Sequence, residues 1–95
     1  MAALDYENIT VADTAIGFTA SKLSPASGAK PKIIYCTLET AQIRFRYDGT
    51  DPTASEGHLM NVGDVLEIDD LTDMLDFKAI RTGGTSATLR CTFER

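Results

Sequence analysis

Ninety-five residues, 43% hydrophobic and 24% charged, suffice for one folded domain with a modest core, and this balance excludes extended disorder. Nine lysines and arginines against fourteen acids give a net charge of −5, which argues against a general nucleic-acid binder, since affinity for phosphate grows with the cations set against it. From Leu59 to Phe77 there are six acids (Asp64, Glu67, Asp69, Asp70, Asp73, Asp76) and no lysine or arginine, so one edge of the molecule is expected to be negative.

Met1 to Leu4 read as a loose end, and no basic n-region or long apolar run marks a secretion signal or membrane span. The chain is expected to be cytosolic at synthesis and not to engage a membrane. A first strand is expected over Tyr6 to Ala12, where Glu7, Ile9 and Val11 alternate with Tyr6, Asn8 and Thr10. Asp13-Thr14 breaks it. Ala15 to Thr19 offers a second short extended piece, weakened or bulged by Gly17. Residues 21–32, SKLSPASGAKPK, form a loop or extended arm by composition, with Leu23 as the one sizeable apolar anchor.

Lys32 to Leu38 is rich in β-branched and aromatic residues and reads as a central strand. It runs through Glu39-Thr40 towards the most regular stretch of the chain, in which Ile43, Phe45 and Tyr47 share one face and Gln42, Arg44 and Arg46 the other. A hairpin between these two strands fits the pattern. Asp48-Gly49 and Asp51-Pro52 then open a loop, residues 48–57, that is long for a hairpin and of the kind that a rigid sheet presents for binding.

Beyond it, His58 to Met60 and Val65 to Ile68 read as short strands around an Asn61 to Asp64 turn. Asp70, with an acid three residues on, is a candidate cap for one helical turn ending near Asp76. Phe77 to Thr82 and Ala87 to Glu94 flank a glycine-led loop suited to a hairpin. The expectation is therefore an all-β single domain, a small β-sandwich or jelly-roll-like barrel of about seven or eight strands. Its expected core is Ile34, Leu38, Ile43, Phe45, Tyr47, Leu66, Ile68, Leu89, Cys91 and Phe93. Cys36 and Cys91 lie 55 residues apart in apolar alternating segments and read as buried free thiols.

His58 is the only histidine, and neither G-x-S-x-G nor H-E-x-x-H accompanies it, so it points to a loop or interface role and the chain to a protein that is not an enzyme. Asp48-Gly49-Thr50-Asp51 lacks the spacing and the bidentate glutamate of a calcium loop. Asp69, Asp70, Asp73 and Asp76 read as a solvated acidic edge, and Gly83 to Ser86 as a turn rather than a phosphate loop. No metal or other cofactor is expected. The interface candidates are Asp48, Thr50, Asp51, Thr53 and His58 of the loop, with Arg44 and Arg46 on the solvent-facing phase of the strand before it.

The stretches IRFRYDGTDPTASEGHLMNVGDVLEI and FKAIRTGGTSATLRCTFER, taken together, resemble small β-structured virion proteins of tailed bacteriophages. The shared features are the alternating strand, the DGT-x-PT-x-x-x-GH loop, the G-D-x-L-x-I segment and the terminal A-T-L-x-x-T strand, within residues 33–95. The resemblance implies a head decoration or cement protein, or a neck or tail component, made in the host cytoplasm and residing in the virion. It implies as partners the major capsid protein or another virion protein, and further copies of this chain in a trimer or ring. A different function, a free module that recognises a glycan or host surface through residues 48–58, is the alternative. The scarcity of aromatic residues outside core phase weighs against it.

Overall fold

The computed structural model describes residues 2–24, 28 and 30–95. In chain order the elements are β1 (Ala3–Val11), α1 (Ala20–Leu23), β2 (Ile33–Glu39), β3 (Ile43–Arg46), β4 (His58–Met60), β5 (Val65–Ile68), α2 (Leu71–Asp76), β6 (Lys78–Arg81) and β7 (Ala87–Glu94). Every strand pair is antiparallel. One sheet has the order β1-β7-β2-β5 and the other β4-β3-β6, so the expected all-β sandwich is the fold observed, with seven strands among the described residues.

Period-two alternation makes the core. In β7, Ala87, Leu89, Cys91 and Phe93 are all buried while Thr88, Arg90, Thr92 and Glu94 stay partly exposed, and in β2 the buried set is Ile34, Cys36 and Leu38. Cys36 and Cys91 face each other directly across the β2/β7 ladder as buried free thiols, their Sγ atoms 3.6 Å apart. The hydrogen bond between them and then burial push the Cys91 thiol well above its usual range.

Three expectations about connections and boundaries are corrected. The first strand starts at Ala3, within the segment expected to be loose, because β7 lies beside it: Ala3 pairs with Glu94, and Ala2 and Arg95 exchange backbone hydrogen bonds. Neither β2/β3 nor β6/β7 is a hairpin, since β2 and β7 pair with each other in one sheet while β3 and β6 pair in the other. The chain crosses between sheets after β2 through a tight turn in which Thr40 takes a positive φ of 83° and Ala41 N–H bonds Glu39 O at 3.0 Å. The segment 21–32, expected as an extended arm, begins inside α1, which buries Leu23 and is tied to β1 by the Lys22–Asp5 ion pair at 2.9 Å. Pro31 is buried too, and residues 25–27 and 29 of that segment lie outside the described residues.

The two lateral sides of the sandwich differ. On the β1/β6 side the chain leaves β1 and runs along β6, with Arg81 N–H bonding Ala12 O at 2.9 Å and Ile16 and Ala79 bonding each other at 2.9 and 2.8 Å. Gly17 allows this approach, because a Cβ there would lie 2.6 Å from the Phe77 carbonyl oxygen. Phe18 then enters the core, stacked on Phe77 at 4.5 Å and edge-on to Phe93 at 5.9 Å. On the β4/β5 side both sheets end in short strands joined by the 61–64 turn, which is fixed by the Asp64 carboxylate accepting from Asn61 N–H at 2.8 Å.

Candidate functional site

Residues 48–57 connect β3 to β4 at the end of the sandwich that α2 also occupies. The folding of this loop follows from the two arginines before it. Arg44 was expected to face solvent, yet its guanidinium turns onto the loop, donating to Ala54 O at 3.2 Å and Gly57 O at 2.9 Å. Arg46 grips Asp48 with two hydrogen bonds, which holds the Asp48 carboxyl down at about 2, and the same ion pair raises Arg46. Both cations thus shape the loop. Thr53 and Glu56 close a small turn through reciprocal backbone hydrogen bonds at 2.9 and 3.3 Å, and Pro52 is buried beneath it. Gly57 sits at φ +137° with Phe45 O only 3.1 Å from where a Cβ would be, so glycine is required at this entry to β4.

At the base of the loop three rings line up. Phe45 of β3 and Tyr47, the residue just past its end, share one phase of the extended chain, and His58 lies opposite Phe45 on β4. The ring centroids are 6.4 Å apart for Phe45–Tyr47, 5.4 Å for Phe45–His58 and 5.9 Å for Tyr47–His58, the first and last within 25° of parallel. Tyr47, expected in the core, is 44% exposed, because β3 reaches past the inner cover that the opposite sheet provides. Phe45 is only partly buried for the same reason and Leu66 because it lies on the edge strand β5; Ile34, Leu38, Ile43, Ile68, Leu89, Cys91 and Phe93 are buried as expected.

Two clefts meet at Tyr47 and His58. The first, about 320 Å³, is the open mouth of the sandwich: Phe45, Tyr47 and His58 on one wall, Leu66, Glu67, Ile68, Asp69 and Asp73 on the other. The second, about 510 Å³, lies under the loop and brings together Arg44, Arg46, Asp48 and His58 with Ser55, Glu56 and Gly57. Thr50, Asp51 and Thr53 are exposed on the loop and line neither cleft.

The chain matches no family model, no curated protein and no solved structure.

The acidic wall of the first cleft was legible only as a run of acids without cations; its position opposite the aromatic wall depends on the pairing of β5 with β2, which no local signal announces. Asp70 is taken up as the α2 cap, its carboxylate accepting from Thr72 and Asp73 N–H at 2.9 and 3.2 Å as its spacing foretold. No group of three or more metal-ligating side chains is gathered among the described residues.

Proposed function

We propose that this chain is a non-enzymatic accessory subunit of a tailed-phage particle, a decoration, cement, neck or tail protein. It docks on a capsid or tail protein and on further copies of itself. The observation that carries the reading is the β4/β5 side, where two edge strands and the turn between them carry Leu59, Val62 and Val65 exposed at 47, 56 and 52%. Such edges offer unpaired backbone groups and apolar area at once, and a protein surface laid against them would satisfy both. The resemblance of residues 33–95 supplies the class of partner.

Co-sedimentation of the purified protein with particles lacking it tests the proposal. Binding by the intact chain, weakened by Leu59→Asp together with Val65→Asp at unchanged fold, is the expected result; failure to bind any head or tail structure overturns it. A second reading, recognition of a glycan or host surface, gains from the exposure of all three tyrosines, Tyr6, Tyr35 and Tyr47. Saturable binding to an isolated sugar, with no binding to particles, would select it.

A further inference from the structure

Resting on that docking reading, we propose that the cleft between the Phe45–Tyr47–His58 wall and β5 receives one arginine side chain of the partner protein. Tyr47 stacks within 23° of Phe45 and 25° of His58, with Phe45 and His58 tilted by 40°, and the 44% exposed Tyr47 ring lines the cleft as an aromatic surface for a planar cation. The facing wall carries the carboxyl residues Asp69 and Asp73, while Glu67 shares the outer face of β5 with Val65 and lines the cleft only from its rim. Together they fit a guanidinium, which stacks on rings with its faces and donates from its edges to carboxylates in a fork that an ammonium cannot reproduce.

Four of the chain's own arginines are engaged elsewhere. Arg46 is held by Asp48, Arg44 by the loop carbonyls, Arg81 by Ser86, and Arg90 by Glu39 and Asn8. The ion pairs found among the described residues involve none of Glu67, Asp69 and Asp73. A volume of about 320 Å³ is at the small end for ligand sites, which suits a single side chain rather than a peptide segment.

The test is an amide NMR titration of the full ¹⁵N-labelled chain with N-acetylarginine amide, its neutral isostere N-acetylcitrulline amide, N-acetyllysine amide and tetramethylammonium. The arginine probe is expected to shift the amides of Tyr47, His58, Asp69 and Asp73 saturably, and the citrulline probe to leave them in place. Asp69→Asn with Asp73→Asn should weaken arginine binding by about tenfold. Tyr47→Ala, at an exposed position that the fold does not need, should weaken it by about two- to fivefold. Equal response to citrulline, tighter binding of lysine or tetramethylammonium than of arginine, shifts elsewhere on the molecule, or unchanged binding in both variants overturns the proposal. Particle co-sedimentation separates it from the docking reading: wild type and the Asp69→Asn, Asp73→Asn variant sedimenting equally sinks the arginine cleft alone. Wild type failing to sediment while the arginine probe still binds sinks the docking reading alone.

Discussion

The β1/β6 side of the sandwich is covered by its own chain, whereas the β4/β5 side is left with two bare edges and three exposed apolar side chains. On the covered side, Ala12 to Phe18 supplies backbone partners to β6 and a phenylalanine to the core. No described segment does the same for β4 and β5. The difference teaches that an apolar residue in a strand says nothing by itself about cover: Ile9 and Val11 are buried, while Val65 on the outer face of an edge strand is exposed. Stability should therefore be concentrated on one side and association on the other.

The comparison breaks most sharply at Phe18. Phe18→Ala empties the place where three rings meet and is expected to cost about 3–5 kcal/mol in denaturant unfolding; a loss below about 1 kcal/mol would mean that the covering segment is decoration. Gly17→Ala forces a Cβ against the Phe77 carbonyl oxygen at 2.6 Å. The cost expected is about 1–3 kcal/mol, read the same way. On the bare side, Leu59→Ser and Val65→Thr should each change the unfolding free energy by no more than about 0.5 kcal/mol, and a larger loss from either would show packing where none is seen.

The smallest effect concerns Asp48. Its carboxyl is depressed from 3.8 to about 2 by Arg46, so the stabilisation from the clasp is fully present above the unfolded value of 3.8 and is lost as pH falls through about 2. Following the Asp48 carboxyl carbon by NMR should give a midpoint well below 3.8 in the wild type, and one that rises towards it in Arg46→Gln.

Much of the fold was legible because alternation is local. The pattern of β7, the cap at Asp70 and the turn at Asn61 to Asp64 each follow from neighbours a few residues away. What was not legible is which strand lies beside which. Ile43, Phe45 and Tyr47 share one phase, yet they run from fully buried to exposed, because cover depends on how far the opposite sheet extends. Phe18, Met60, Met74 and Phe77 belong to the core for the converse reason: they sit in short or irregular segments that only the assembled sandwich encloses. At the site, the Asp48 to His58 loop was visible from its turn residues. The inward use of Arg44 and the acidic wall were not, since both are made by partners distant in sequence or supplied by another sheet.

The position of β7 has a consequence for how the protein is made. β7 is the last of the seven strands to leave the ribosome, yet it sits between β1 and β2 in the larger sheet. Until residues 87–94 emerge, β1 has no neighbour and β2 has only the four-residue β5. The larger sheet can therefore form only once β7 is available, and it then closes over almost its full length, the kind of distant pairing that slows folding. A chain stopped at residue 86 should be protease-sensitive across β1 and β2 rather than nearly folded.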